Sequence, residues 1–175
     1  MLRSTPNLYV YRPCDENELI GAWNDILSLK ETPSALVVTK DAVPVLTTSS
    51  RVDVAKGAYT ILPEKNQLHG ILIATGSEVH TAINVAEQLY REQKLDLRVV
   101  SMPCMERFLK QSQEYQEAIL PTGVRKIVIE AGSSFGWHRF VYNDKYLITV
   151  DQFGASGLKD EVLKYCQFDF HKIKQ

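Results

Sequence analysis

The chain has few cysteines, and their arrangement excludes two classes of protein. Only Cys14, Cys104 and Cys166 are cysteines among the 175 residues. They are odd in number, far apart and outside any CxxC pair, so neither a disulfide framework nor a structural zinc site is expected. We expect these residues to be buried or inert thiols.

The chain also lacks an excess of charge of either sign and any long apolar run. Lys and Arg number 20 against 21 Asp and Glu, with the signs interspersed, so no field would gather nucleic acid or an anionic membrane. No apolar run approaches the roughly 20 residues of a membrane span, and Met1 to Pro6 lacks the apolar region of a signal peptide. We therefore expect a cytoplasmic protein with neither kind of partner. Its length allows one full core, or one core plus a fragment of another.

The most informative stretch that is present runs from Gly70 to Arg91. Ile71 to Thr75 is a short apolar run that ends at Gly76, which predicts a buried strand followed by a tight turn. An amphipathic helix follows, with Ser77 at the position of its N-cap. Its apolar residues recur at helical spacing: Val79, Ala82, Ile83, Ala86, Leu89 and Tyr90. A buried strand followed by such a helix is the repeating unit of a parallel sheet covered by helices.

Similar units continue along the chain. Further strands are predicted at 97–101, 126–130 and 146–150, with helices near 114–120, 135–141 and 159–165. Residues 58–62 are predicted as an antiparallel edge strand. The predicted fold class is therefore α/β, a three-layer α/β/α arrangement around a mostly parallel sheet of about five strands.

A smaller strand-helix-strand unit precedes this sheet, and we interpret it as the remnant of a second α/β domain. Its strands are predicted at 8–11 and 35–39. Asp15 is expected to cap the helix between them, with Glu18 reaching back to the backbone of Asp15. Two strands and one helix cannot close a core. The predicted inward face of the helix is Leu19, Ala22, Trp23, Ile26 and Leu27, and it would need cover from the C-terminal domain, a second copy or a partner chain.

A stretch without periodicity separates the two units. It is rich in Thr and Ser, as in Thr47 to Ser50, and is typical of a linker. The predicted division is a first unit at 1–45, a linker at 46–56 and a second domain at 57–175.

Candidate functional residues follow the predicted strands, because open parallel sheets bind ligands at the carboxyl ends of their strands. The turn at 75–78 has a single glycine, too few for a dinucleotide fingerprint, which favours a tight turn and helix cap. The segment from Glu130 to His138 is richer: Glu130 is a candidate base, His138 a candidate proton carrier and Trp137 a candidate stacking platform. Equally, Glu130 could accept backbone N–H groups and Trp137 could fill a core.

Histidines elsewhere lack the spacing of metal ligands. His69, His80 and His171 stand alone in sequence, so we expect solvated or capping roles for them.

Several blocks give the chain a resemblance to a known family. They are PNLYVYRPCDENEL, ALVVTKDAVPVL, IATGSEV, VVSMP, EAG with a downstream GW, and FGASG. In order and spacing the chain resembles the C-terminal portion of transketolase over essentially its whole length. The β subunits of 2-oxoacid dehydrogenases share the domain plan but resemble these blocks less well, and they are the second choice.

The resemblance implies that most of the cofactor site is formed by segments outside this chain. It makes residues 1–45 the tail of a pyrimidine-binding domain and 57–175 the C-terminal domain. In this family the diphosphate of thiamine diphosphate and its divalent metal, Mg²⁺, are held by an N-terminal domain, and the aminopyrimidine by a glutamate and aromatics that would precede Leu2. Family members transfer two-carbon ketol units between sugar phosphates, and that chemistry needs the cofactor in position. The chain alone is therefore expected to bind no cofactor or metal and to be inactive.

One family site residue has a counterpart here. The arginine of the family's TRQ motif, which binds substrate phosphate, aligns with Lys40 of TKD. Lys is a flexible point charge rather than a planar fork, and Asp41 in place of Gln would oppose a phosphate, so the match is partial.

Two classes of function stay open from the sequence. The chain is either part of a transketolase-like enzyme, acting with a chain that carries the remaining domains, or a module without chemistry that serves assembly or regulation. Self-association is the simplest way to cover its first unit.

Overall fold

The computed structural model describes residues 2–166 and 168. Its seven strands are β1 (Tyr9–Tyr11), β2 (Ser34–Leu36), β3 (Tyr59–Leu62), β4 (Gly70–Ala74), β5 (Leu97–Ser101), β6 (Lys126–Ile129) and β7 (Leu147–Ile148). The α-helices are α1 (Glu16–Ser28), α2 (Glu78–Gln93), α3 (Met105–Phe108), α4 (Gln113–Ile119) and α5 (Lys159–Tyr165). Among these residues no helix is both long and apolar enough to cross a membrane.

The larger sheet has the order β3-β5-β4-β6-β7, with β3 antiparallel and all other pairs parallel. This confirms the predicted α/β class, the mostly parallel sheet and the antiparallel edge strand. All five residues of β4 are buried, as expected for a central strand covered on both faces.

The two faces of β4 contribute to separate cores. Leu72 and Ala74 belong to the cluster that includes the apolar side of α2, whereas Ile71 and Ile73 belong to the cluster on the opposite face. This alternation follows from the two-residue period of a strand. The opposite cluster includes Trp137, which is completely buried.

The smaller sheet pairs β1 with β2 in parallel, with α1 as the crossover, as predicted for residues 8–39. The predicted linker packs against this unit. The backbone N–H of Leu46 donates to Asp15 (2.9 Å), and a 3-10 helix at Asp53–Lys56 places Val54 in the core with Ala22.

Two predictions about helix starts need correction. Asp15 does cap α1 by accepting from the N–H of Glu18, but the Glu18 carboxylate accepts from the N–H of Cys14 rather than from Asp15. Ser77 occupies the N-cap of α2 without capping it, because its hydroxyl donates to the adjacent Glu78 carboxylate (2.8 Å).

The predicted inward face of α1 is wrong in part. Ala22 is buried, but Trp23 is 50% exposed and Leu27 77% exposed. The buried side of α1 instead carries Glu18 and Asp25, because it faces polar partners of the larger domain.

The segment before β7 also differs from prediction. The sequence pattern predicts a helix at 135–141, but only a 3-10 turn forms at Trp137–Arg139. Gly136 has φ of 89°, which interrupts helical geometry, and the Asp151 carboxylate holds the preceding loop by accepting from the N–H and hydroxyl of Ser134. β7 is correspondingly shorter than predicted.

Candidate functional site

The smaller unit is seated on the carboxyl ends of the strands in the larger sheet. The backbone of Arg12, just after β1, donates to Pro103 O (2.8 Å) and accepts from the N–H of Gly76 (2.9 Å). Gly76 has φ of 64°, and a Cβ there would lie 3.3 Å from the Arg12 guanidinium, so a side chain would be strained and crowded. The β4–α2 turn is therefore occupied by this chain's own backbone.

Glu130, at the end of β6, is the centre of a buried ionic cluster at this junction. It is 2% exposed. Its Oε1 accepts from Arg12, and its Oε2 accepts from Arg3 and from the indole N–H of Trp137. Arg12 also contacts the Glu78 carboxylate at 3.2 Å. Two guanidinium groups of the smaller unit are thus bound by one carboxylate of the larger.

This geometry bears on Glu130 as a candidate base. A general base needs a lone pair that substrate can reach. Both oxygens of Glu130 already accept from side chains of this chain, an arrangement that favours a positioning role at the junction.

A cleft of about 360 Å³ lies beside the cluster. Arg3, Arg12 and Glu130 line its polar side, and the exposed ring of Phe135 lies at its wall. It lies where open α/β sheets bind ligands, at the carboxyl ends of strands.

His138 lies on the 3-10 turn after this segment and points to a different partner. Its Nε2 forms a hydrogen bond with Asp144 (2.8 Å), and its side chain is 54% exposed. The structure therefore does not join His138 to Glu130 by a hydrogen bond. Trp137 fills the core, with its ring 5.9 Å from Phe140, as in the alternative interpretation.

Lys40 follows β2 in an exposed segment. Among residues 2–166 and 168 its ammonium group makes no ion pair, and it does not line the cleft beside Glu130. Lys40 is therefore not part of the Glu130 cluster, and its ammonium group is not paired with an acid of the described residues.

Two further buried carboxylates lie at the junction and were not predicted to be there, since the sequence pattern predicts only a capping role for Glu18 and none for Asp25. Glu18, fully buried, accepts from the hydroxyls of Tyr59 (2.7 Å) and Ser101 (2.5 Å). Asp25 accepts from Tyr11 (2.5 Å) and Arg107 (2.8 Å). The available signal was the spacing of Glu18, Ala22 and Asp25 at i, i+4 and i+7, which puts two acids on one stripe of α1.

Burial controls the protonation of this region. It raises the pKa of Glu18, and the hydrogen bonds from Ser101, Cys14 and Tyr59 oppose this shift without reversing it. Burial likewise raises the pKa of the Tyr59 hydroxyl and of the Cys14 thiol. Cys14 and Cys104 are buried free thiols, as predicted, whereas Cys166 is partly exposed.

The described residues do not fit thiamine diphosphate with its metal. Within them, no group of three or more His, Cys, Asp or Glu side chains is placed to hold a cation. Each buried carboxylate accepts from N–H or O–H donors of this chain: Asp15, Glu18, Asp25, Glu78, Asp96 and Glu130.

The isolated histidines have local roles. His80 Nε2 lies 3.0 Å from Cys14 O, and His69 Nδ1 accepts from the N–H of Asp96 (3.1 Å). His171 lies outside the described residues.

Comparison with known proteins gives a consistent result. Residues 57–169 match the model of the transketolase-like TK C-terminal domain. The chain is 41% identical to the transketolase of Bacillus subtilis (strain 168), over 98% of its own length and 26% of the relative. It therefore spans about a quarter of the length of the curated relatives that it matches.

Solved structures also match almost the whole of this chain. Transketolase from Leishmania mexicana superposes with a TM-score of 0.89 at 36% identity, over 98% of this chain and 25% of that one. A split gene transketolase described as an inactive beta4 tetramer shares the fold at a TM-score of 0.71 and 16% identity, over 98% of this chain and 57% of that one.

Proposed function

The chain belongs to the transketolase family, whose C-terminal domain it matches, and we propose that it is the C-terminal part of a thiamine diphosphate-dependent enzyme that transfers two-carbon ketol units between sugar phosphates. The observation that carries this proposal is the family match over residues 57–169, together with a fold that superposes on a quarter of a complete transketolase. That match favours transketolase over the β subunit of a 2-oxoacid dehydrogenase.

We further propose the division at 1–45, 46–56 and 57–175. In it, the β1–α1–β2 unit is the tail of a pyrimidine-binding domain. The reciprocal bonds at the junction support this, since carboxylates of the smaller unit accept from the larger, and arginines of the smaller unit donate to it. They would fix the position of the smaller unit on the C-terminal domain.

In this proposal, thiamine diphosphate and Mg²⁺ are held by parts of the complete enzyme outside these 175 residues. The cofactor supplies the carbanion chemistry when bound. The chain's own residues contribute position: Arg3, Arg12 and Glu130 hold the smaller unit, and that unit presents Lys40.

The test uses the purified chain with and without the remaining transketolase segments. Calorimetry with thiamine diphosphate and Mg²⁺, followed by a coupled turnover assay, should show neither tight binding nor activity for the chain alone. Turnover should appear when the missing segments are added. Micromolar cofactor binding by the chain alone, or no activity in the mixture, would contradict the proposal.

Lys40 is proposed to face the phosphate of the sugar in that complete enzyme. Lys40→Ala should raise the apparent KM for phosphorylated sugars by roughly ten- to a hundredfold if a charged hydrogen bond of about 1.5–3 kcal/mol is lost. Unphosphorylated sugars should be affected much less. Lys30→Ala, an exposed lysine of the same unit, is the matched control. Equal effects on both sugar classes would refute the role.

A second candidate function is assembly without chemistry. The exposed Trp23 and Leu27 on α1 favour it, since such side chains are commonly covered in a complex. The partner would be a second copy or a chain that carries the other transketolase domains, and the split gene neighbour is itself a multi-chain assembly, a beta4 tetramer. Sedimentation of the isolated chain tests it: an oligomer supports association, and a monomer at high concentration contradicts self-association.

A further inference from the structure

A second cleft, of about 480 Å³, lies away from the Glu130 junction. It is bounded by α4 and by the segments that lead into β6 and β7. Its floor is apolar, formed in part by the buried side chains of Phe108, Leu120 and Val141. It shares no lining residue with the cleft beside Glu130, so the proposed function makes no use of it.

Two guanidinium groups line this cleft without acidic partners. Arg125 lies over the ring of Tyr146, 5.8 Å from its centroid, and this ring contact orients it. Arg139 is the last residue of the 3-10 turn and also lines the cleft. In the part of the chain that the structure describes, neither side chain forms an ion pair or a hydrogen bond.

The other charged groups of the cleft are already engaged. Lys126 donates its ammonium protons to Pro121 O (2.7 Å) and Val124 O (3.2 Å). Glu117 accepts from both the N–H (2.6 Å) and the hydroxyl (2.8 Å) of Thr122, contacts that lower the pKa of its carboxyl. Glu117 therefore stays ionised and gives the lining one negative charge, against three positive charges from Arg125, Lys126 and Arg139, so the lining has an excess of positive charge.

Aromatic side chains lie beside these cations. Tyr142 lines the cleft and is fully exposed, so both faces of its ring are open to a ligand. Tyr146 is partly buried beneath Arg125 and also contacts Lys145, whose ammonium lies 4.8 Å from the ring centroid. An exposed ring that lines the same cleft as two guanidinium groups combines a stacking surface with an anion site.

We propose that this cleft binds a small phosphate monoester that carries a planar ring, with Arg125 and Arg139 on the phosphate and Tyr142 against the ring. Guanidinium groups match the oxygens of a phosphate by paired hydrogen bonds. The volume is within the range of about 300–1,000 Å³ that small-molecule sites occupy. A concave site with a floor formed by Phe108 and Val141 suits a small molecule better than a membrane or a duplex.

The test is calorimetry on the 175-residue chain with AMP as the probe. One saturable site is expected, and Arg139→Gln should weaken AMP binding by about tenfold or more, the loss expected for a charged hydrogen bond. Arg125→Gln should act in the same direction. Arg91→Gln, an exposed arginine on α2, is the matched control and should leave binding unchanged. Thermal melts confirm that each variant is folded.

Three further probes separate the parts of the ligand. Inorganic phosphate, ribose 5-phosphate and adenosine should each bind more weakly than AMP. Tyr142→Ala should weaken the binding of AMP but not that of inorganic phosphate. Affinity for ribose 5-phosphate equal to that for AMP would overturn the role of the ring. Lack of saturation by about 10 mM AMP, or equal weakening in the Arg91 control, would overturn the site.

Discussion

Replacement of Glu18 by alanine removes the carboxylate that links α1 to the larger sheet. In the folded chain Glu18 has no exposed surface and accepts from the N–H of Cys14 (2.7 Å) and from the hydroxyls of Tyr59 and Ser101. Alanine leaves three donors at a site closed to water. Each buried donor without an acceptor costs about 1–3 kcal/mol. We take the lower limit for each, because hydroxyls can rotate, and expect a loss of about 3 kcal/mol in the free energy of unfolding.

Urea unfolding followed by the fluorescence of buried Trp137 measures this change. Glu16→Ala is the matched control, since Glu16 is an exposed acid in the first turn of the same helix. Glu16→Ala should lower the free energy of unfolding by less than about 1 kcal/mol, the usual size of a charge interaction with the helix dipole. A Glu18→Ala variant within about 1 kcal/mol of the parent chain would refute this account of the junction.

The same residue gives a pH dependence with a definite sign. Because burial raises the pKa of Glu18 in the folded chain, the folded state binds this proton more tightly than the unfolded state. The contribution of this proton to the free energy of unfolding is fully present below the pKa of an unfolded glutamate, about 4.3. It is lost as the pH rises through the higher pKa that Glu18 has in the folded chain. Glu18→Gln cannot titrate but can still pair with Cys14 and the two hydroxyls. The stability of the parent chain relative to Glu18→Gln should therefore fall as pH rises; a constant difference would contradict the shift.

Two other changes test the rest of the structure. Glu130→Gln leaves the guanidinium groups of Arg3 and Arg12 without a full countercharge, so the free energy of unfolding should fall by about 3 kcal/mol. Glu87→Gln, at an exposed position of α2, should change it little. A loss no larger than that of the control would count against the cluster. Leu27→Glu places a charge on the exposed face of α1, so any self-association measured by sedimentation should weaken while the free energy of unfolding stays unchanged. An unaltered oligomer would exclude this face from the contact.

The larger sheet could be predicted because its signals are local. The apolar run of β4 and the helical spacing in α2 lie within about two dozen residues of one another. The strand is buried on both faces, and the apolar side of α2 packs on one of them. Local patterns of this kind indicate a strand or helix before any partner is known.

The buried face of α1 could not be chosen from sequence, because two stripes compete on one helix. The apolar stripe through Trp23 and Leu27 has the usual composition of an inward face. The stripe through Glu18 and Asp25 is buried instead, since Ser101 and Arg107 supply donors from more than 80 positions away. Spacing along the helix carries no information about donors so distant.

The candidate site shows the same limit. Glu130 could be singled out as a polar residue at the end of a buried strand, but its partners Arg12 and Arg3 are 118 and 127 positions away. The loop after it has a helical pattern but does not form a helix, because the carboxylate of Asp151, which holds that loop, comes from beyond the next strand. In both cases a partner from outside the segment affects the local structure, and in the loop it acts together with the positive φ of Gly136.

The smaller unit has two sides, the junction with the C-terminal domain and the exposed face of α1, and only the junction can fix the position of the unit. Its junction with the C-terminal domain pairs donors and acceptors in both directions, so a displaced unit would leave Glu18 or Glu130 buried without partners. Such a junction fixes one position. The exposed face at Trp23 and Leu27 offers apolar surface that a partner could bury. Burial of apolar surface is not directional, so it does not fix one orientation. We therefore expect substitutions on this face to change how much the chain associates, while substitutions at the junction change where Lys40 lies relative to the C-terminal domain.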